Sequence, residues 1–159
     1  MSKKLQSLLD EYSESHQNIT NKRIHWLCVP LIFWSIIALL YAIPTSPLTG
    51  LFGHRFFSNW AVIAMIPVLI YYLSLSAPIA AGMLVFIACC LFTSEILLHN
   101  PFFPLWAIAV IVFALAWIGQ FYGHKVEGKK PSFLKDLQFL LIGPAWLLHF
   151  IYKRFGLKY

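Results

Sequence analysis

Charged side chains are scarce in this sequence of 159 residues: Asp, Glu, Lys and Arg together make up 11% of it, while 60% is hydrophobic. Soluble domains carry about 25% charged residues. The deficit excludes an ordinary soluble domain and indicates an integral membrane protein with room for one domain. The net charge of +6 does not indicate a nucleic-acid partner, because the basic residues cluster beside apolar runs, as juxtamembrane charges do.

Cysteine motifs are also lacking, and no cleavable leader is expected. The three cysteines, Cys28, Cys89 and Cys90, lie inside apolar runs and show no CxxC spacing, which excludes a zinc ribbon or a dithiol redox motif and favours packing. The first 24 residues are polar and contain no apolar core, so no signal peptide is expected.

Clustered histidines are lacking as well. The chain has six histidines, and no two lie within four positions of each other. The HxxxH and HxxHH clusters of membrane di-iron desaturases and hydroxylases are therefore excluded. Internal repeats and low-complexity tracts are absent too.

The N-terminal segment is predicted to form an amphipathic helix over residues 3–15, whose apolar stripe consists of Leu5, Leu8, Leu9 and Tyr12. The sequence Asn18-Ile19-Thr20-Asn21 predicts a break at residues 18–21, where Asn closes one helix and Thr20 caps the next. In one unbroken helix, His16 and His25 would face opposite ways, whereas a bend lets both point to one site.

Four apolar runs of about bilayer length follow: Trp26 to Ile43, Trp60 to Leu75, Ile79 to Leu98 and Phe102 to Phe121. A fifth run, Leu137 to Ile151, is shorter and is interrupted by Gly143 and Pro144, which predicts a re-entrant or interfacial segment. The predicted fold is an all-α membrane protein, with about four transmembrane helices between an N-terminal amphipathic helix and a short fifth apolar helix. It forms one multi-pass domain over residues 1–159, with a lead-in (1–25), four spans (26–121) and a C-terminal motif and re-entrant segment (122–159).

The distribution of positive charge predicts the orientation. With four spans, all lysines and arginines except Arg55 lie on one side of the membrane, which the positive-inside rule assigns to the cytosol. The N-terminus and His124 fall on this side, and His54 and His99 on the other.

The segment from Trp117 to Glu127 changes from apolar to polar. If its helix continues, Trp117, Gln120, His124 and Glu127 share one face at i, i+3, i+7 and i+10. A His and a Glu three residues apart on a helix can present two ligands to one metal. Lys129-Lys130-Pro131 is predicted to end the helix.

Histidines on one side of the membrane suggest a metal centre. Imidazole and carboxylate ligands with open positions suit a non-heme iron that binds oxygen, and His16, His25, His124 and Glu127 supply such a set. Interfacial histidines that only form hydrogen bonds are the alternative.

Four polar side chains are candidates for contact with a substrate or for support of the metal ligands: Tyr12, Asn18, Asn21 and Gln120. The alternative roles are helix capping for the two asparagines, an interfacial hydrogen bond for Gln120 and a place in the aromatic belt of the membrane interface for Tyr12. Trp117 is expected to pack, Glu95 to be solvated or paired near a span end, and His149 to be structural.

Two of these patterns identify a family. The pattern Tyr12-x3-His16-x-Asn18-x2-Asn21-x3-His25 running into Val29-Pro30-Leu31, and the segment from Trp117 through Gly123-His124 to Pro131, resemble the membrane-bound 2-hydroxy fatty acid dioxygenase family; the Gly143-Pro144 segment is similar too. The chain departs from that family at Cys28-Val29-Pro30, where a glycine is common, and at Ser132-Phe133, where alanine is usual.

The resemblance implies an iron(II)-dependent enzyme that uses dioxygen to shorten a 2-hydroxy fatty acid by one carbon (fatty acid α-oxidation). In eukaryotes this reaction serves phytosphingosine degradation at the endoplasmic reticulum. The resemblance assigns His16, His25 and His124 as ligands, with Glu127 as a fourth ligand or an orienting group. Membrane lipids are the expected surroundings. The positive-inside rule holds equally in a bacterial inner membrane and in the endoplasmic reticulum, so either is expected, and no oligomeric state is predicted.

Two other classes of protein remain open. A non-catalytic lipid-binding or scaffold protein would use the histidines only for packing and capping, and a metal-dependent lipid hydrolase would hold zinc. A transporter is not favoured, because three of the four spans contain almost no polar groups.

Overall fold

A computed structural model describes residues 2–45, 48, 56–128 and 133–157, with the backbone alone for residues 133–138. The described residues form six α-helices and no strand, which confirms the predicted all-α class. The helices are α1 (Lys3–Glu14), α2 (Ile19–Ala42), α3 (Trp60–Leu75), α4 (Ala77–Leu98), α5 (Leu105–Glu127) and α6 (Phe133–Arg154).

Three of these helices, α2, α4 and α5, are long and apolar enough to cross a membrane. The shorter α3 has 16 residues, a length of about 24 Å at 1.5 Å per residue. Its bounds match the predicted second run. By contrast, α2 and α5 extend beyond the apolar runs at the ends where they carry His25 and His124. Contacts within the protein stabilise the polar ends of these helices. The hydropathy of a segment does not include such contacts, so it predicts shorter helices.

The first helix has the predicted amphipathic form. Its N-cap, Ser2, accepts a hydrogen bond from the backbone N–H of Leu5 and donates one to the carbonyl of Leu75. All members of the predicted stripe are buried: Leu5, Leu8, Leu9 and Tyr12. The stripe belongs to the main hydrophobic cluster, which also contains Ile142 and Trp146 of α6.

The break between α1 and α2 lies earlier than predicted. Residues 15–18 separate the two helices, and α2 already begins at Ile19. The cap is the Asn18 side chain, which accepts hydrogen bonds from the N–H groups of Thr20 and Asn21. The prediction that Thr20 caps α2 is therefore wrong: Asn is at least as good an N-cap as Thr, and it stands two residues earlier.

The predicted interruption at Gly143 and Pro144 is also wrong, because α6 runs through both as one helix. A Cβ atom at Gly143 would lie 3.0 Å from Val29 Cγ1 and 3.1 Å from the Tyr12 hydroxyl. The missing side chain thus lets α6 lie close to α1 and α2. The helix continues through Pro144 although this residue cannot donate a backbone hydrogen bond.

Helix α6 is held at one end of the bundle. The Tyr72 hydroxyl donates to the Leu141 carbonyl at 2.5 Å, and the Tyr152 hydroxyl donates to the Pro78 carbonyl at 2.7 Å. Tyr72 and Pro78 flank the α3–α4 junction at Ser76, so both contacts hold α6 to that end. The same end carries α1, the start of α2 and the end of α5.

At the opposite end, the Tyr41 hydroxyl donates to Glu95 at 2.6 Å, and His99 Nε2 lies 3.4 Å from the same carboxylate. Glu95 is thus paired. The sequence also places His54 and Arg55 at this end, but both lie outside the described residues. The predicted helix stop at Lys129-Lys130-Pro131 lies outside them too. The helix α5 ends at Glu127 because Gly128 adopts the left-handed conformation, with φ of 74°.

Candidate metal centre

Two helices and the link between α1 and α2 bring three histidines together. His16 lies in the α1–α2 link, His25 in the second turn of α2 and His124 in the last turn of α5. One ring nitrogen from each lies within 4.8 Å of the other two. The ring centroids are 4.1 Å apart for His16 and His25, 5.1 Å for His25 and His124, and 5.4 Å for His16 and His124. This convergence depends on the link, which turns α1 back so that His16 meets His25.

The protons on two of the rings are fixed by the backbone. His16 Nδ1 lies 2.6 Å from the Tyr12 carbonyl, and His25 Nδ1 lies 3.0 Å from the Asn21 carbonyl. A carbonyl oxygen can only accept, so each Nδ1 donates and each Nε2 keeps its lone pair. Metal-binding histidines are commonly oriented by such a hydrogen bond. His16 Nε2 is buried and has no hydrogen-bond partner within the described part of the chain.

The electrostatic environment keeps His16 neutral. Its side chain is 2% exposed, and this burial lowers the pKa of His16 from 6.5 to about 4. The hydrogen bond to the Tyr12 carbonyl acts in the opposite direction, and the neighbouring His124 lowers the pKa further. A histidine must be neutral to bind a metal, so the ring is ready for coordination at neutral pH.

Aromatic side chains support the His16 ring. Tyr12 stacks on it, with ring centroids 4.1 Å apart and planes 10° from parallel. Trp146 of α6 lies 5.6 Å from His16 and donates its indole N–H to Ser13 Oγ at 2.8 Å. Sequence reasoning missed Trp146, because an aromatic residue inside an apolar run carries no signal of a role at a polar site.

Glu127 lies beside the three-histidine group and ties the end of α5 to the α1–α2 link. Its carboxylate accepts hydrogen bonds from the backbone N–H groups of Gln17 and Asn18, both at 2.9 Å, and from Asn21 Nδ2 at 3.1 Å. Of the two roles considered for Glu127, fourth ligand or orienting group, this geometry favours the second. We use the term carboxylate clamp for Glu127, Asn21 and the backbone N–H groups of residues 17 and 18.

The other polar candidates surround the histidines. Asn21 is fully buried, and its Nδ2 also donates to the Ser15 carbonyl at 3.1 Å. Its Oδ1 lies against Gly123, where a Cβ atom would collide with it. Gln120 is 6% exposed and lies near the His25 ring. Asn18 caps α2.

Two further residues of interest lie apart from the three-histidine group. Trp117 packs against a small hydrophobic cluster as expected, and its buried Nε1 has no partner among the described residues. His149 of α6 is half-buried, with its ring 5.3 Å from that of Phe150. Among the described residues, the group of side chains that could hold a metal consists of His16, His25 and His124.

Three imidazoles suit several metals. A three-histidine set with open positions is found in catalytic zinc sites, and imidazole also suits iron, copper and nickel. The arrangement can therefore hold a divalent metal with free coordination positions, and the protein geometry alone does not select which one.

Comparison with protein families matches the chain to a family model described as 2-hydroxy-palmitic acid dioxygenase Mpo1-like, over residues 2–155. Comparisons with curated proteins and with solved structures give no match. The family match covers every described helix and all of the residues in the histidine group.

Proposed function

The chain belongs to the 2-hydroxy-palmitic acid dioxygenase Mpo1-like family, and from this membership we propose that it is an iron(II)-dependent dioxygenase. The proposed reaction shortens 2-hydroxy long-chain fatty acids by one carbon with dioxygen as co-substrate. The observation that carries the proposal is the convergence of His16, His25 and His124 at one end of a membrane bundle.

The residues present fit an iron ion. His16 offers a buried lone pair on Nε2 that no described group satisfies. The carbonyls of Tyr12 and Asn21 hold His16 and His25 in the tautomer that leaves Nε2 available. Bound iron(II) would supply the activation of dioxygen, and its open positions would accept the substrate.

The surrounding residues have distinct proposed roles. The carboxylate clamp keeps the α1–α2 link against the end of α5, and so holds His16 and His124 at a fixed separation. Tyr12 and Trp146 restrain the His16 ring by packing. Gln120, a buried amide near His25, is the side chain we place nearest the carboxylate and 2-hydroxyl of the substrate.

The proposed location of the site is the cytosolic membrane interface. Basic residues cluster at the histidine end of the bundle, and those described are Lys3, Lys4, Lys22, Arg23, Lys125, Lys153 and Arg154. Positive charge beside spans favours the cytosolic side. There the polar head of a fatty acid would reach the histidines while its tail stays in the bilayer, in either a bacterial inner membrane or the endoplasmic reticulum.

The test is substrate-dependent oxygen uptake by the detergent-purified, iron-loaded protein, with mass spectrometry of the product. We expect 2-hydroxypalmitic acid to yield a product one carbon shorter, His124→Ala to abolish the reaction, and His99→Ala to leave it unchanged. His99 is the matched control because it lies at the opposite end of the bundle, beside Glu95.

Two results would contradict the proposal. Zinc in the purified protein without oxygen uptake would favour the lipid hydrolase. A protein that binds no metal and shows no turnover would favour the lipid-binding or scaffold role, with the histidines serving structure.

A further inference from the structure

Helices α2 and α6 meet at the histidine end of the bundle and run antiparallel there. A Cβ atom at Gly143 would lie 3.0 Å from Val29 Cγ1, and the ring centroid of Phe150 lies 6.4 Å from that of Trp26. The order of these contacts is opposite in the two helices, so the start of α2 lies beside the end of α6. We call Trp26 and Phe150, which are 43% and 36% exposed, the aromatic pair.

A positive charge lies one turn beyond each member of the aromatic pair. Lys22 precedes Trp26 by four residues on α2, and Arg154 follows Phe150 by four residues on α6. Residues four apart lie on the same face of a helix, so these two cations continue the faces that meet at the aromatic pair. Because the helices are antiparallel, the two charges come to the same level. We call Lys22 and Arg154 the cation pair.

The cation pair lacks a counter-charge within the protein as far as the chain is described, since no ion pair there joins Lys22 or Arg154 to a carboxylate. Two like charges at one level repel each other, and an anion placed between them is attracted by both. Arg154 is exposed and Lys22 is half-buried. An anion can therefore reach the pair from outside without opening the packed bundle.

The cation pair also lies beside the histidine group. The positive charge of Lys22 lowers the pKa of His16, after the larger effect of burial. Phe150 packs on Trp146 with ring centroids 4.7 Å apart, and Trp146 lies 5.6 Å from His16. On α2, Lys22 precedes His25 by three residues. An anion at the cation pair is thus held next to two of the proposed metal ligands.

We propose that the cation pair binds the carboxylate of the 2-hydroxy fatty acid as it arrives from the bilayer, while the aromatic pair contacts the first carbons of its tail. The inference rests on the proposed function, from which it takes the ligand. It adds a docking site on the protein surface, which the acid occupies before its head moves to the histidines. The tail remains in lipid, so the site requires no apolar cavity inside the bundle.

The position of the cation pair favours a free acid over a phospholipid headgroup. Tryptophan is typical of the membrane interface, the level at which a fatty acid carries its carboxylate. The neighbouring cations Arg23, Lys125 and Lys153 are exposed and suit anionic headgroups in general. Among the described lysines, Lys22 alone combines half-burial with an electrostatic effect on a histidine of the group.

The first test measures binding without turnover. The full-length protein, freed of metal by a chelator, is placed in nanodiscs of neutral lipid, and the dissociation constants of 2-hydroxypalmitic acid and of its methyl ester are measured. We expect the double variant Lys22→Gln/Arg154→Gln to bind the acid about tenfold more weakly, the scale of a hydrogen bond to a charged group. The ester carries no negative charge, so its affinity should be the same in the original protein and in this folded variant.

The matched control is the double variant Arg23→Gln/Lys153→Gln. Each of these residues adjoins one member of the cation pair and lies about 100° away around its helix, so the control removes the same net charge from other faces. We expect its affinity for the acid to stay within about twofold of the original, because exposed charges at a distance are screened. Equal weakening in the two double variants would show a general effect of net charge and overturn the docking site.

A second arm separates the acid from a phospholipid headgroup. The same measurements are made in nanodiscs that contain an anionic phospholipid. We expect the tenfold difference between the original protein and Lys22→Gln/Arg154→Gln to remain. A difference that vanishes in anionic lipid would assign the cation pair to headgroups instead and contradict the proposal.

Oxygen uptake by the iron-loaded protein separates the docking site from the proposed function. We expect Lys22→Gln/Arg154→Gln to raise KM for the acid about tenfold with kcat and iron content unchanged, because the lost contact belongs to arrival and not to the reaction. Uptake with the original KM in this variant would refute the docking site and leave the dioxygenase standing. Binding that depends on the cation pair, with no uptake by any variant, would refute the dioxygenase and leave the docking site.

Discussion

Individual protons and hydrogen bonds determine whether the three histidines can act as one site. The carbonyls that hold Nδ1 of His16 and His25 belong to residues four positions earlier in the chain, so each tautomer is fixed locally. The position of one ring relative to another depends on long-range contacts. The most direct of these is Glu127, which bonds to Asn18 across 109 positions of sequence.

The role of Glu127 leads to a prediction. Glu127→Gln replaces one carboxylate oxygen, which accepts hydrogen bonds, by an NH2 group that faces other N–H groups. The carboxylate clamp should therefore open. The affinity for iron should fall by about 10- to 100-fold, as it does when other groups that orient metal ligands are changed. Iron retained against a chelator measures the effect, with Glu14→Gln, an exposed carboxylate at the end of α1, as the control.

The cobalt(II)-substituted protein distinguishes the two roles of Glu127. An orienting carboxylate should leave the ligand-field spectrum of the bound cobalt almost unchanged in Glu127→Gln once the site is saturated. A spectrum of different coordination number would show instead that Glu127 is a ligand.

The pKa of His16 predicts how the metal-free protein responds to acid. Its folded-state pKa is about 4 against 6.5 for the ordinary group, so between these values the unfolded chain binds a proton that the folded chain does not. The free energy of unfolding should therefore fall as the pH drops from 6.5 to about 4, by about 3 kcal/mol from this group. Denaturation of the metal-free protein at several pH values measures the slope. His16→Gln should make that slope shallower. An unchanged slope would contradict the lowered pKa of His16 in the folded protein.

At the scale of helices, the site depends on the close approach of α2 and α5. Gly119 and Gly123 face α2: a Cβ atom at Gly119 would lie 2.7 Å from Cys28 Sγ, and one at Gly123 would collide with Asn21 Oδ1. Asn21 is part of the carboxylate clamp. The same small residues that let the helices approach therefore also set the geometry around the histidines.

Gly123→Ala should consequently weaken both packing and metal binding. The new methyl group displaces the Asn21 amide, so we expect lower thermal stability and lower iron content. In Gly119→Ala the new methyl group overlaps only with Cys28 Sγ. The double variant Gly119→Ala/Cys28→Ala should relieve that overlap. Thermal melts and metal analysis of the three variants measure this, and full iron content in Gly123→Ala would refute the link between helix approach and the site.

The helix α1 delivers His16 only while it is anchored to α6 and the core. Leu9 is 2% exposed, and Leu9→Ala should lower the free energy of unfolding by about 2–5 kcal/mol. We expect α1 to become protease-sensitive and iron to be lost with it. Leu27→Ala, at a side chain that is 65% exposed, is the matched control, and equal proteolysis of the two variants would count against this anchoring role.

The sequence was sufficient for features with a local cause. The stripe of α1 and the bounds of α3 follow from periodicity and apolar length, and the structure agrees with both. The α1–α2 cap was misplaced, because Asn18 and Thr20 are both good caps and contacts with Glu127 favour the former. The continuity of α6 was missed for a similar reason. The low helix propensity of Gly143 and Pro144 is visible in the sequence, whereas the packing of Gly143 against Tyr12 involves a distant helix.

At the scale of the whole molecule, the chemistry is concentrated at one end of the bundle. The α1–α2 link, the end of α5 and the packed helix α6 meet there, and described basic residues surround them. The rest of α2 and α5 continues as apolar helix. This division suits a ligand with a polar head and a long apolar tail, since the protein offers an ordered polar site at the end of a path through hydrocarbon.

The central claim is that His16, His25 and His124 together hold one iron ion. Its most direct test is the iron stoichiometry of the purified protein beside His16→Ala, His25→Ala, His124→Ala and the control His99→Ala. One iron per chain in the original protein and in the control, with loss in each of the other three, is the predicted result. Iron that survives any one of those three substitutions at full stoichiometry would contradict the claim.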